Sequence, residues 1–261
     1  MKLISLNTWG GKIYQPLVTF IKNYSRDSDI FCFQEIYSTT TSVKQFHSIR
    51  ANLLEELKQI LPDFQVFYTP EFSGYDSNPN PVDFDLTVGE ATFIRKDINV
   101  HSFEELPISG DGSEKILKTD FSNLPVALQC INLIIDNKSY IICNIHGTSF
   151  PGSKLDTKQR LEQSMKINNF LKSKSGAKIL TGDLNLLPQT ESIRMLEKNM
   201  RNLIKEFNIE KTRSSLSPFF KRPDFQKFAD YIFVSPDVNV KSFEAPEVEV
   251  SDHLPMILEF S

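Results

Sequence analysis

Ala177-Lys178-Ile179-Leu180-Thr181-Gly182-Asp183-Leu184-Asn185 is the stretch on which the fold turns. Residues 177–180 are an apolar run of strand type, and it delivers a glycine, an acid and an amide at its end. Taken alone, Asp183 reads as a turn residue and Asn185 as a helix cap. The same placement recurs along the chain. Asn7 closes the apolar run 2–6, Glu35 follows 30–33, His146 follows 140–145, Asp230 adjoins 231–234, and Asp252-His253 adjoins 256–260. Polar groups at strand ends on one rim of a sheet can converge on one site, held rigidly by the strands.

Outward from this stretch, Leu17, Phe20, Ile21 and Tyr24 recur at helical spacing, and Val43, Phe46, Ile49, Leu53, Leu54, Leu57 and Leu61 predict a second helix over 41–60. Further helices are expected over 155–171 and near 191–199. Strand patterns occupy 64–68, 86–95, 100–106 and 238–243, and 126–135 with 140–145 reads as a hairpin closed at Asp136-Asn137-Lys138. Polar loops are expected over 70–85, with Pro70, Pro79 and Pro81, and over 109–123. Many strands with about four helices indicate a sheet-rich, layered α/β fold. No repeat or compositional break divides the chain, so one domain over 1–261 is expected.

The 261 residues are 40% hydrophobic and 24% charged, a soluble globular composition that needs neither disulfide nor structural metal to fold. A formal charge of −4 and a pI of about 5.7 give no global positive field, so a nucleic-acid partner would need a local basic groove. Cys32, Cys130 and Cys143 each lie in an apolar run and read as small buried hydrophobes. Their odd number and unpaired spacing argue against a disulfide framework or a zinc site. The N-terminus is too quickly polar for a signal peptide and no apolar run reaches transmembrane length. A cytoplasmic monomer without stable membrane association is expected, although a mature secreted chain would read the same.

Together the strand-end residues are the inventory for a hard divalent cation and a phosphate. Mg²⁺ takes oxygen ligands, usually one or two carboxylates with water and substrate oxygen. Asparagine orients water or phosphate without adding charge. Histidine donates to a phosphoryl oxygen, or accepts a proton when a carboxylate holds its other nitrogen. Adjacent strand residues point to opposite faces, so Asp252 cannot be assumed to be the acid that holds His253, and a different acid such as Asp230 is a candidate. His47 and His101 are expected to be incidental.

The blocks Leu6-Asn7-Thr8-Trp9, Gln34-Glu35, Asn144-Ile145-His146, Gly182-Asp183-Leu184-Asn185, Asp230-Tyr231-Ile232-Phe233 and Ser251-Asp252-His253-Leu254-Pro255 make the chain resemble the endonuclease/exonuclease/phosphatase superfamily, the DNase I-like fold. All six occur in family order. The resemblance implies a four-layer α/β sandwich, with two packed mixed sheets flanked by helices. It implies metal binding by Glu35, helped by Asn7, with Asp252 a second metal-side acid and Mg²⁺ the ion, Mn²⁺ being the alternative. Asp183 would position or activate the attacking water, Asn185 contact the scissile phosphate, His146 bind phosphate, and Asp230 pair with His253 as general base or phosphate clamp. His146 stands where abasic-site endonucleases tend to carry tyrosine, and Asp230-Tyr231 lacks the arginine of inositol-polyphosphate phosphatases. The expected substrate is a phosphodiester in nucleic acid or nucleotide. A sphingomyelinase-like or inositol-phosphate hydrolase is the alternative, and a non-catalytic binding module the remote one. Arg213, Lys221 and Arg222, interleaved with Phe219, Phe220 and Phe225, form the candidate substrate groove. The same segment also reads as a solvated loop with buried anchors.

Overall fold

The computed structural model describes residues 1–76, 80–110 and 123–261. Its strands form two six-stranded sheets. The first runs β11 (Val240–Glu244), β12 (Met256–Phe260), β1 (Lys2–Asn7), β2 (Ile30–Ser38), β4 (Thr87–Arg95), β3 (Phe64–Ser73). The second runs β5 (Asn99–Ser109), β6 (Val126–Ile135), β7 (Lys138–His146), β8 (Ala177–Asp183), β10 (Asp230–Val234), β9 (Arg201–Asn202). The helices are α1 (Tyr14–Tyr24), α2 (Leu53–Ile60), α3 (Lys158–Ser173), α4 (Glu191–Glu197) and α5 (Leu203–Glu206). Each sheet has a parallel pair at its centre, β1 with β2 and β7 with β8, and each pair is joined by a crossover that carries a helix, α1 or α3.

Period-two alternation sorts the side chains into layers. Along β1 and β2, Leu3, Ile30 and Cys32 join a cluster with Leu128, Cys143 and Leu180 of the second sheet. Their alternates Ile4, Leu6, Phe31 and Phe33 pack against Leu17 and Ile21 of α1 and Leu53 and Leu57 of α2. Each fully buried Leu or Phe contributes about 2 kcal/mol. Ile167, Leu171, Ile193 and Leu196 bring α3 and α4 onto the larger cluster. The result is a four-layer α/β sandwich. Buried amides bond across the sheets: Gln34 Nε2 donates to Asn144 Oδ1 at 2.6 Å, Asn144 Nδ2 to the Phe33 carbonyl at 3.1 Å, and Gln129 Nε2 to Thr69 Oγ1 at 2.9 Å. A buried polar seam of this kind fixes how two sheets are set against each other, which apolar contact alone does less sharply.

Four expectations need correction. The helix expected over 41–60 exists only as α2. His47 takes left-handed φ 50°, and Phe46 and Ile49 exchange backbone bonds across a tight turn. Val43 and Phe46 instead join a satellite core with Tyr37, Val88 and Phe84, so two apolar surfaces mimicked one helical stripe. The helix expected from 155 begins at Lys158, where the Thr157 side chain accepts from Arg160 N and caps it. The strand expected at 64–68 extends to Ser73 through Pro70, which an edge strand tolerates because its outward N–H needs no partner. Of the two loops expected, residues 77–79 and 111–122 lie outside the described residues. Finally, Cys130 and Cys143 form a disulfide, with Cα atoms 4.3 Å apart, and only Cys32 is free. They face each other directly in the β6–β7 register, which sequence spacing did not reveal. Such a bond persists in oxidising surroundings and is opened in reducing ones. No helix among the described residues is long and apolar enough to cross a membrane.

Candidate active site

Strand register assembles the site. His146 ends β7 directly opposite Asp183 at the end of its parallel neighbour β8, and Asp230 opens β10 opposite the same Asp183. Gly182 makes the approach possible. Its φ is 134°, and a Cβ there would lie 2.0 Å from the Ile145 carbonyl oxygen. In the facing sheet, Asn7 ends β1. Glu35 sits in an irregularity of β2, where the register with β4 shifts between Phe33 and Ile36, and takes left-handed φ 56°. Bulges of this kind re-aim side chains at functional sites. Asp252 and His253 lie in the segment leading into β12, where Ser251 Oγ donates to the Asn7 carbonyl at 2.7 Å.

These side chains meet. Asn7 Nδ2 donates to Glu35 Oε1 at 3.1 Å and to Asp183 Oδ2 at 3.2 Å, while its Oδ1 accepts from Trp9 N. His146 Nε2 lies 3.8 Å from Asp183 Oδ2 and 4.0 Å from Glu35 Oε1. His253 Nε2 lies 3.6 Å from the same Asp183 oxygen. His253 Nδ1 stands 2.8 Å from both oxygens of Asp230, which makes it the donor and fixes the tautomer. Asp252 Oδ2 pairs with Arg213 Nη2 at 2.6 Å, and its buried Oδ1 has no hydrogen-bond partner among the described residues. Burial and the Arg213 charge press the His253 pKa down, but the carboxylates of Asp230, Asp252 and Asp183 outweigh them and hold it above the ordinary imidazole value. Burial pushes the Asp183 carboxyl up, but Lys154, both histidines and Arg213 together hold it well below the usual carboxylate range. Burial leaves Asp230 raised.

Two features escaped the sequence reading. Lys154 is buried against the site, with Nζ bonded to Asn185 Oδ1, and burial lowers its pKa. Asn185 Nδ2 donates to the Gly147 carbonyl at 3.1 Å, so both ends of its amide are assigned. The loop carrying Lys154 is held by the buried Arg160, which donates to the carbonyls of Thr148, Leu155, Ser149 and Pro151. The second feature is an acid pair. Glu90 Oε1 accepts from His146 N at 3.0 Å, and Glu71 Oε1 accepts from Ala127 N at 3.2 Å. Burial raises both carboxyls, Glu71 to about 7 and Glu90 well above the ordinary range, the latter also through the Glu71 charge. A lone acid in the apolar run of β4 was the available signal for Glu90.

The expected groove residues separate. Arg213 is buried on Asp252, whereas Arg222 is exposed, pairs with Asp224 at 3.1 Å and covers the Phe219 ring. Lys221 is exposed nearby. Phe219, Arg222 and Phe225 line a cavity of about 480 Å³ that also reaches Lys154 and Arg213. It adjoins a cleft of about 320 Å³ containing Glu35, His146, Asp183, Asn185, Asp252 and His253, walled by Trp9, Tyr37, Phe72, Val88 and Leu124. His47 Nδ1 lies 3.1 Å from Oδ2 of Asp76, an acid that also lines this cleft, while His47 itself is not among the cleft's lining residues, and His101 is exposed on β5.

Carboxylate oxygens of Glu35 and Asp183 sharing one amide donor, with the orphaned Asp252 Oδ1 nearby in the cleft, suit a hard cation bound by few carboxylates and water. Two other groups bring three donor atoms close enough for one ion, Asp183-Asp230-His253 and Glu71-Glu90-His146. Comparison of folds finds a mannosyl-6-phosphatase from Bacteroides thetaiotaomicron, with TM-score 0.70 and 19% identity over 100% of this chain and 99% of that one. The human Nocturnin catalytic domain aligns with TM-score 0.68 and 16% identity over 100% and 93%. Truncated TDP2 of Caenorhabditis elegans aligns with TM-score 0.64 and 16% identity over 99% and 96%. At such identities the likeness is one of fold. A search of the curated proteins finds no relative by sequence. The sequence model described as the endonuclease/exonuclease/phosphatase family matches residues 4–253, and with that match over nearly the whole chain the protein belongs to this family of phosphoester hydrolases.

Proposed function

We propose that the protein is a Mg²⁺-dependent phosphodiesterase that hydrolyses a phosphodiester in nucleic acid or nucleotide with water. The carrying observation is the convergence of two imidazoles on Asp183, whose Oδ2 lies within 3.8 Å of both rings. A phosphoryl group entering the cleft meets a histidine on either side. Environments that push neighbouring pKa values apart assign the roles. Asp183, held ionised, orients the water and accepts its proton. His253, oriented by Asp230 on Nδ1 and with a pKa held above the ordinary imidazole value, donates from Nε2 to a phosphoryl oxygen, and His146 is the second donor. Lys154 and Asn185 line the same wall and oppose charge developing on the phosphate. Glu35 and Asp252, with Asn7 orienting Glu35, would hold the Mg²⁺; when bound, the ion neutralises phosphate charge and lowers the pKa of water.

A diester carries two organic groups, and the site opens onto two spaces. Trp9 and Phe72 offer planar faces in the cleft, while Phe219 and Phe225 offer them beside Arg222 in the adjoining cavity. Bases stack on such faces while cations hold phosphates. The test is hydrolysis with Mg²⁺, and with EDTA, of an oligonucleotide, a chromogenic phosphodiester, a sugar phosphomonoester and sphingomyelin. Faster EDTA-sensitive turnover of the oligonucleotide is expected. Preferential turnover of the monoester or of sphingomyelin would overturn the substrate assignment and leave the metal chemistry standing.

A further inference from the structure

We propose that Glu71, Glu90 and His146 form a second divalent-cation site, distinct from the Glu35 site.

The backbone builds this corner deliberately. Glu71 is the residue left unpaired where the register of β3 against β4 shifts between Pro70 and Phe72. Gly89 sits opposite Pro70, and a Cβ on it would come 1.9 Å from the Thr69 carbonyl oxygen, so only glycine lets β3 close this tightly beside Glu90. The bulge and the glycine together bring two carboxylates from neighbouring strands to one point. Each carboxylate is aimed by one backbone N–H on its Oε1, from Ala127 and from His146. Glu90 is fully buried, and its Oε2 receives no hydrogen bond from any N–H or hydroxyl among the described residues; the group next to this acid is the Glu71 carboxyl. No arginine or lysine forms a salt bridge with either acid among the described residues. A buried carboxylate oxygen without a donor is costly, and two carboxylates side by side double the demand for a cation.

The dimensions fit one ion. One donor atom from each of the three residues lies within 4.8 Å of the others. Oxygen donors on opposite sides of a cation with bonds of about 2.4 Å stand about 4.8 Å apart. A cavity of about 30 Å³, with Glu71, His146, Thr148 and Ser149 on its polar side and Phe72, Leu124 and Val126 on its apolar side, adjoins the group. That is about the volume of one water in the liquid, so a further ligand can be solvent. Two carboxylates with an imidazole suit a divalent transition ion better than Mg²⁺, and Mn²⁺ accepts both donor types.

The test uses Mn²⁺ as the probe and does not depend on turnover. Metal-free protein is titrated with Mn²⁺ by calorimetry and by electron paramagnetic resonance, and crystals soaked in Mn²⁺ are examined for anomalous scattering. Wild type is expected to bind two ions, with one anomalous peak between Glu71, Glu90 and His146. Glu35→Gln should lose only the other ion. Glu71→Gln and Glu90→Gln should each weaken the second site at least about tenfold. The idea is overturned if the anomalous peak is missing from this corner in wild-type crystals, whatever the variants do. It is equally overturned if infrared spectra at saturating Mn²⁺ keep a protonated-carboxyl band that Glu90→Gln removes, because a shared proton then does the cation's work. Failure of the phosphodiesterase assays would leave both readouts untouched.

Discussion

The two histidines of the site approach one carboxylate, Asp183, from different backbone settings, His146 at the end of β7 and His253 in the segment leading into β12, and they are held differently. His253 is 3% exposed, clamped by Asp230 on one nitrogen and faced by Asp183 and Asp252 on the other, with Arg213 completing the network. His146 is 20% exposed, reaches Asp183 and Glu35 only at 3.8 and 4.0 Å, and is backed by two carboxyls that burial holds above their usual range. One imidazole is fixed in orientation and tautomer by its carboxylate clamp. The other has no carboxylate partner closer than 3.8 Å among the described residues and stands beside the Glu71–Glu90 corner. Two histidines of one site therefore need not share a role, because the next layer of side chains decides how firmly each ring is held.

The largest expected effect breaks the locked side. In Asp230→Asn the amide can donate to Nδ1 as well as accept from it, so the tautomer is no longer fixed. The kcat for a chromogenic phosphodiester should fall about 1,000- to 10,000-fold, with the circular dichroism spectrum unchanged. A loss below about tenfold would remove His253 from the chemistry. His146→Ala should cost less, about 100-fold, as the removal of one of several transition-state donors does. Equal losses in the two variants would erase the asymmetry.

Lys154→Met sharpens the contrast between function and stability on the Asp183 wall. Met keeps the length of the chain but leaves the buried Asp183 without its foremost positive partner and Asn185 Oδ1 without its donor, and removing one side of a buried charge pair is destabilising. The melting temperature should fall, and in the still-folded variant well below that temperature kcat should also fall, about tenfold, a cost smaller than those from loss of general acid–base groups. An unchanged kcat with a lowered melting temperature would make Lys154 purely structural. Next come the exposed cations. Lys221→Ala with Arg222→Ala should slow oligonucleotide cleavage a few-fold and reduce the slope of its salt dependence by up to about two, leaving a small diester unaffected. Arg213→Ala, by contrast, should impair both substrates because it strips Asp252 of its partner. If the surface pair also impaired both, the two regions would not be separable. The smallest effect lies outside the site. Asp85 accepts from Thr40 N and from the hydroxyls of Thr39 and Thr40, and these bonds hold its pKa at about 2 against 3.8. A depressed acid stabilises the fold above its unfolded pKa and loses that contribution as pH falls through the folded one. The melting-temperature gap between wild type and Asp85→Asn should thus be widest at neutral pH and close between pH 3.8 and about 2. A gap independent of pH would refute it.

The layered fold and the residues gathered in the cleft were legible because both rest on local pattern. Apolar runs ending in Asn7, His146 and Asp183 show the strands and their polar tips without any knowledge of pairing. Whatever depended on register was hidden. The Cys130–Cys143 bond exists only because β6 and β7 pair in one alignment. Glu71 joins Glu90 only through a bulge, and Lys154 enters the site only because Arg160, six residues on, gathers its loop. Arg213 looked like a surface cation because nothing in the segment 211–222 announces that Asp252 lies beside it. The helix misread over 41–52 has the same origin, since periodicity does not say whether one surface or two receives the apolar side chains.

Gly182 gives the site a mechanical tolerance. Strands β7 and β8 close on each other there only because no methyl group stands between Gly182 and the Ile145 carbonyl, and this closure sets the gap between His146 and Asp183. A side chain at that position would act as a wedge, prising the imidazole from the carboxylate while leaving every reactive group intact. The aperture of the catalytic gap is thus gauged by a residue with no chemistry of its own.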